Sequence, residues 1–470
     1  MNIYYYLKKQ LYTFFRNLTF KKIAIIILTL FFLILVGTRG LLYIEKRNWD
    51  NRVGELNYSL NFFTYIPNAT NILNFYKQFL PSKLSKYELK ISDESLKKLE
   101  EAFPDDFFGN LPKKSVWAEA EFYDDGKKYE VEIKNRGLMS RHWRYRKKSW
   151  HIKFKDEYWN GYQEINFILP EEKDFLVEDY GYHVAEKLGL VGLETSFVRL
   201  KINSQSYGAY WMIEHWNENF LERNQLSSDA DLYRKDQGAG DIYKDSFNLR
   251  KYTEESHSVE SNYAGLDILL NCLQDCSDEE FYQTAKRMID MDNFLAWQSH
   301  ASLLGDDHQY TGHNIRLYFN SVKGKFQFFP VDVNQFKFDG QLDIHYNTLM
   351  SRLLMIPEVM GQRNQILWGY VNDKDNIQDD IDYYEDLYKQ TKSAFYKDKT
   401  KRYSNLYFNY RVKDRFEKMK KQYEYIKDLL ASETEIKIRY NNFTDKVSKI
   451  NIQTQNFSDI KLEEIAIEDN

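Results

Sequence analysis

Sixteen consecutive residues without a charge, Ile23 to Thr38 (IAIIILTLFFLILVGT), set the first limit on how this chain can fold. A bilayer offers no hydrogen-bond partner to a bare backbone, so such a segment satisfies its own peptide groups as a helix. Leu18 and Phe20 extend the run, Lys21 and Lys22 can snorkel, and together they bring it to the roughly 20 residues a membrane span needs. A cleaved signal peptide is the competing reading, but a basic region of some twenty residues before the apolar core is long for one. Lys8, Lys9, Arg16, Lys21 and Lys22 precede the span, and Arg39, Lys46, Arg47 and Arg52 follow it. That small excess favours a cytoplasmic N-terminus, with the large remainder of the chain outside.

The remainder has the means to fold. Aromatic residues make up 17% of the 470, well above the aromatic-poor composition of disordered chains. A net charge of -5 argues against a general nucleic-acid coat, and two cysteines cannot supply a disulfide framework or a four-Cys zinc site. Cys272 and Cys276 stand four apart on a helical pattern, which favours two separate thiols.

Hydropathy patterning then orders the elements. LKIS from Leu89 is a short strand, and Ser92 caps a helix that ends before Pro104. Alternation on both sides of Asp124, Asp125 and Gly126 predicts a hairpin over 116–135, and KSWHIKF is a further alternating strand. A helix over 174–188 ends at Gly189, and SFVRLKIN with GAYWMIEHW forms a second hairpin. Strands, helix and hairpin in this succession follow the order of a protein-kinase N-terminal lobe. Beyond Trp216 the pattern is helical (219–224, 262–273, 278–304, and again after Asn347), broken by a hairpin turning at Lys323 and Gly324. Two alternating runs in the tail, EIKIRY and KINIQT, can pair.

Two polar constellations can carry chemistry. In LLGDDHQYTGHNIRLYF and FFPVDVNQF, Asp306 or Asp307 ends an apolar helix, Asn314 follows Asp307 by seven residues, and Asp332 follows Asn314 by 18 across the hairpin. Phosphoryl transfer needs such a set: a carboxylate that orients a hydroxyl, and an amide plus a carboxylate that hold a divalent metal. Loops after helices also collect Asp, Asn and His for capping alone. His308 and His313 could suggest zinc, but no cysteine lies nearby. The second constellation is KNRGLMSRHWRYRKKSW, where Arg136, Arg141, Arg144, Arg146, Lys147 and Lys148 crowd one loop. It suits either a polyphosphate or anionic lipid. Lys148 opens the third strand, where a kinase-like lobe carries its phosphate lysine, and that favours the polyphosphate. Glu178 on the following helix can pair with Lys148 or be a plain surface residue. Glu214 to Trp216 occupies the hinge position that meets adenine, while Trp211 and Trp216 read as packing aromatics.

Over residues 87–365 the series KNRGLMSR, KKSWHIKF, EKLGL, FVRLKINSQSYGAYWMIEHWNENFL, DLYRKD, HNIRLYF, GKFQFFPVD and NTLMSRLLMIPE resembles the CotH kinase family, a spore-coat-protein-like group of atypical kinases. The resemblance implies an α+β, bilobal protein-kinase-like fold, ATP with Mg²⁺ or Mn²⁺, and phosphorylation of Ser or Thr hydroxyls on secreted or coat proteins. It implies Lys148 and Arg136 as phosphate-binding groups, Asp307 as the catalytic-loop aspartate, and Asn314 and Asp332 as metal side chains. The family's Asp-x-Asp reads Asp332, Val333, Asn334 here, exchanging a second carboxylate for an amide at the metal. The expected organisation is a cytoplasmic N-terminus (1–22), a transmembrane helix (23–43), a stalk (44–86), an N-lobe (87–216), a C-lobe (217–365) and a helical extension with tail (366–470). The expected function is a single-pass membrane kinase acting on an extracytoplasmic protein or surface polymer, with no role for nucleic acid. A catalytically silent surface scaffold, linked to cell-envelope polymer assembly, is the alternative.

Overall fold

The structure is a computed structural model that describes residues 19–50, 76, 79–104, 116–137, 140–143, 145–228, 230–234, 250–251, 264–306, 308, 314–333, 342, 347–431, 437–440 and 450–453. Two compact units are formed, Met1–Phe79 with Lys401–Tyr410 and Leu80–Thr400 with Arg411–Asn470. In the first, helix α1 (Phe20–Asp50) contains the apolar run. Its Lys21–Gly40 segment, with mean hydropathy 2.4, is long and apolar enough to cross a membrane.

The second unit opens with strand β1 (Lys86–Ile91) and helix α2 (Asp93–Glu100), whose Ser92 cap accepts the Ser95 amide. Strands β2 (Ala118–Asp124) and β3 (Lys127–Asn135) make the expected hairpin, turned by Asp125 and Gly126 at φ 45° and 85°. β4 (Trp150–Phe154) and β5 (Glu164–Ile168) follow, then a short 3-10 helix (Pro170–Lys173), helix α3 (Val177–Lys187), and the hairpin of β6 (Thr195–Ile202) and β7 (Gln205–Glu214). A kinase-like N-terminal lobe is the expectation for this stretch; the seven strands instead close into a barrel in the order β1-β2-β3-β4-β5-β7-β6. The closing seam is a parallel pairing of β1 with β6. Every second residue points inward, and Leu89, Phe122, Val131, Ile133, Ile152, Ile165, Phe167, Val198 and Leu200 fill the interior.

Strand β5 is absent from the sequence reading. All five of its residues, EINFI, are buried, so it shows no alternation between core and solvent. Its presence makes β5, not the strand opened by Lys148, the one that leads into helix α3.

Helix α4 (Glu218–Arg223) and strands β8 (Leu232–Arg234) and β9 (Arg250–Lys251) lead to α5 (Ala264–Asp275), α6 (Asp278–Met288) and α7 (Met291–Leu304). The single helix expected over 278–304 is therefore two, separated at Ile289 and Asp290, where α6 ends in extended backbone. Cys272 and Cys276 form a disulfide, correcting the expectation of separate thiols. Strands β10 (Arg316–Asn320) and β11 (Lys325–Phe329) form the expected hairpin turning at Lys323 and Gly324 and join β8 and β9 in one sheet. Helices α8 (Thr348–Leu354), α9 (Pro357–Asn372), α10 (Lys374–Lys397) and α11 (Asn405–Ala431) follow, and the tail runs pair as β12 (Lys437–Tyr440) with β13 (Ile450–Gln453).

Where α3 meets α7, the wholly buried His300 ring donates through Nε2 to the Gly181 carbonyl at 2.8 Å. Burial lowers its pKa from 6.5 to about 4, so the folded state holds it neutral. Between those two values the unfolded chain binds the extra proton, and stability falls as pH drops through this window, by about 3 kcal/mol for a shift of this size. Denaturant melts between pH 7 and pH 4 should therefore flatten for His300→Gln relative to the parent.

Candidate active site

The 3-10 helix after β5 begins at Pro170 and ends on Asp174 and Phe175, both in left-handed backbone at φ 48° and 63°. That sharp exit turns Lys173 inward, where it is 8% exposed. Its Nζ lies 2.7 Å from Glu178 Oε2 on α3 and also pairs with Asp332 Oδ1. Three charged groups from a strand exit, a helix and a hairpin exit thus meet in one buried cluster.

Each group alters its neighbours. Burial pushes the Glu178 carboxyl up to about 7, against the pull of Lys173. Burial alone would lower Lys173, but Asp332 and Glu178 more than offset it and raise its pKa. Burial likewise opposes the Asp332 charge, while Lys173 and His308 hold that carboxyl well below its usual range. Asp332 sits in left-handed backbone at φ 58°, a conformation that costs a non-glycine residue about 1–2 kcal/mol. Strain of this kind persists where surrounding contacts impose it, and here the contacts of Asp332 with Lys173 and His308 do so.

The approach of α3 to this segment depends on Gly181. A Cβ there would lie 3.0 Å from Val333 Cβ and 3.2 Å from Val333 O. Gly181→Ala should push the 332–333 backbone outward, cost about 1–3 kcal/mol and lower any activity that uses Asp332. Denaturant unfolding measured beside turnover checks both effects.

The loop after α7 completes the cluster. Gly305 caps α7 at φ 58°, and Asp306, fully buried, accepts the His308 amide at 2.9 Å through Oδ1. His308 Nδ1 lies 3.2 Å from Asp332 Oδ2, and Asn314 Nδ2 donates to the His308 carbonyl at 3.1 Å. Asn314 and Asp332 are thus brought together around His308. Asp307 and Asn334 lie outside the described residues.

The basic loop does not act as a unit. Glu178 is neither the partner of Lys148 nor a plain surface residue: it is buried against Lys173, and Lys148 Nζ donates to the Tyr145 carbonyl at 3.1 Å. Lys147 is buried in an ion pair with Asp398. Arg136, by contrast, acts electrostatically on Lys173, Glu178 and Asp332. At the hinge position, the buried Glu214 side chain accepts Arg223 Nη1 at 2.7 Å, an ion pair with helix α4. Trp211 donates to Asp179 of α3 at 3.1 Å, and Trp216 stacks on Phe329, in keeping with packing roles.

Lys173 is the residue that sequence reasoning passed over, and His308, considered there only for zinc, contacts Asp332 instead. The signal was local: EEKDFLVEDY places Lys173 directly before a helix and five residues before Glu178, but with β5 unseen the lysine of the preceding strand drew the assignment.

Two further groups have metal-competent atoms within 4.8 Å of one another, His151 with Glu164 and His215, and His183 with Asp379 and Asp380. Lys187 Nζ already sits 2.7 Å from Asp380 Oδ1 in the second. In the first, His151 Nε2 lies 2.5 Å from Glu164 Oε2, and burial holds both histidines neutral, with Lys134 and Arg136 reinforcing the effect.

A family model described as CotH kinase protein matches residues 133–436, well over half of the chain. The chain belongs to the CotH kinase family. Membership makes the chain kinase-like, and the matched span contains Arg136, the whole Lys173 cluster and residues 306–314. β1, β2 and most of β3 precede it, although they supply three staves of the barrel. Among solved structures, a Helicobacter pylori proinflammatory kinase, CtkA, aligns at 12% identity over 68% of this chain and 95% of its own, with a TM-score of 0.22, too low to support a structural argument. Comparison with curated proteins returns no significant match.

Proposed function

We propose that this chain is a membrane-anchored, ATP-dependent kinase that phosphorylates Ser or Thr hydroxyls of an extracytoplasmic or cell-surface protein, with residues 87–216 and 217–365 serving as its two lobes. The observation that carries this reading is the buried Lys173, held between Glu178 on α3 and Asp332 after β11. A lysine fixed by a helix glutamate beside a metal-competent aspartate is what positions polyphosphate for transfer. Arg136 adds positive charge, Lys173 moves from Asp332 to the phosphates when they arrive, and Asp307 orients the attacking hydroxyl.

Asn314 and Asp332 offer an amide and a carboxylate oxygen from adjoining segments, a hard donor set that fits Mg²⁺ or Mn²⁺, with Asn334 as a third candidate. When bound, the ion neutralises charge on the phosphates. The apolar length of Lys21–Gly40 supports a single-pass anchor, and the Cys272–Cys276 bridge supports a location outside the reducing cytosol.

Full-length protein incubated with labelled ATP and Mg²⁺ or Mn²⁺ should label itself or a surface protein, and Asp307→Ala and Asp332→Ala should abolish the label. Absence of both nucleotide binding and labelling in the parent would sink the enzyme reading. Binding without transfer would favour the scaffold, a reading supported by Asn334 in place of a second carboxylate. Protection of the large domain from protease on intact cells would overturn the orientation.

A further inference from the structure

Two cations of the basic loop, Arg146 and Lys148, stay outside the Lys173 cluster, and both line a cavity of about 350 Å³ at one mouth of the barrel. The mouth is formed where β3 ends, β4 begins and β6 turns into β7, with helix α2 beside it. Its wall is apolar, from Leu96, Leu99, Phe103, Trp150 and Ile202. Barrel mouths with a few convergent polar groups over apolar walls are common ligand sites, and this volume lies in their range.

The polar groups share one demand. Lys148 donates to the Tyr145 carbonyl, one hydrogen bond for an ammonium that carries three donors, and its Nζ lies 5.7 Å from the Phe103 ring centroid. Arg146 Nη2 donates to Gln205 Oε1 at 3.1 Å. Asn135, 8% exposed, lines the same cavity, and its Nδ2 is a buried donor with no hydrogen-bond partner among the described residues. Glu100, exposed at the rim, is the one carboxylate in the lining among the described residues, so the cations outnumber it. Burial lowers the Lys148 pKa, with Glu100 opposing, as befits an ammonium short of countercharge. A buried donor without an acceptor is costly, and an anion would satisfy Asn135 and both cations at once.

We propose that this cavity binds a small amphipathic anion, a single negatively charged head on a compact apolar arm, at a site separate from the one proposed for ATP. Its head meets Lys148, Arg146 and Asn135, and its arm lies against Leu99, Phe103, Trp150 and Ile202.

Calorimetric titration of 3-phenylpropionate into the full-length chain in lipid nanodiscs, with empty nanodiscs as the blank, tests this. Saturable binding is expected, with 3-phenylpropylamine and inorganic phosphate each at least tenfold weaker. Lys148→Gln and Arg146→Gln should each weaken 3-phenylpropionate by about tenfold or more and leave ATP affinity unchanged. Arg146 is exposed, so its variant serves if Lys148→Gln lowers the unfolding temperature. Absence of binding, equal binding of the amine or of phosphate alone, or indifference to both substitutions would overturn the proposal. Loss of ATP affinity in Lys148→Gln would also overturn it, because the cavity would then belong to the nucleotide site.

Discussion

Lys173→Ala should lower phosphoryl transfer by about 10²–10³-fold, while Lys148→Ala stays within about threefold of the parent. The contrast follows from position: Lys173 holds Glu178 and Asp332 together, whereas Lys148 reaches a backbone carbonyl at the barrel mouth. Glu178→Gln should give an intermediate loss, since an amide can still accept from Lys173 but no longer balances its charge. A rate assay at saturating ATP, repeated at limiting ATP, separates a positioning defect from a binding defect. Equal losses at Lys173 and Lys148 would return the phosphate role to the basic loop.

The second large effect lies away from the cluster. Asp380 on α10 is fully buried and accepts from Tyr370 (2.9 Å) and Tyr423 (2.8 Å), and from Lys187 (2.7 Å) and His183 (3.2 Å) of α3. Tyr180, also on α3, lies 2.6 Å from the Tyr423 hydroxyl. Burial opposes the Asp380 charge, but His183 and Lys187 hold its pKa below the ordinary value. Asp380→Ala leaves Lys187 with only the exposed Asp379 carboxylate at 3.1 Å and takes a buried acceptor from four donors, and should cost about 2–4 kcal/mol in denaturant unfolding. Asp380→Asn should cost less. Next to Lys173, Asp174 accepts Arg411 at 2.6 Å and also pairs with Arg415 of α11, so the C-terminal helices hold both flanks of the Lys173–Glu178 pair. Variants of Asp380 that remain folded should therefore still lose activity, and full activity in a folded Asp380→Asn protein would show that this network serves stability alone.

Much of this was legible in the sequence because it is local. The 116–135 hairpin announces itself through alternation around Asp124, Asp125 and Gly126, and α3 through its apolar spacing and Gly189, found at φ 74° just past the helix. Asn314 and Asp332 could be singled out because a loop and a hairpin exit are chain-local features. What failed was non-local. β5 is buried on both faces and has no period to read, and its omission moved the lysine assignment by one strand. Barrel closure could not be read either, because it depends on β1 meeting β6 across more than a hundred residues of intervening chain. The role of His308 exists only once it and Asp332 are folded side by side.

The parallel seam between β1 and β6 also fixes an order of events. β1 is made first, yet one of its two neighbours, Lys86 facing Arg199 through Leu89 facing Ile202, is synthesised last but one among the staves. Until β6 emerges, β1 has an open edge able to pair with another chain, the hazard that edge strands carry. The barrel is therefore most vulnerable to aggregation while the chain is still growing, and substitutions that weaken the seam should reduce the yield of soluble protein more than they reduce the stability of molecules already closed.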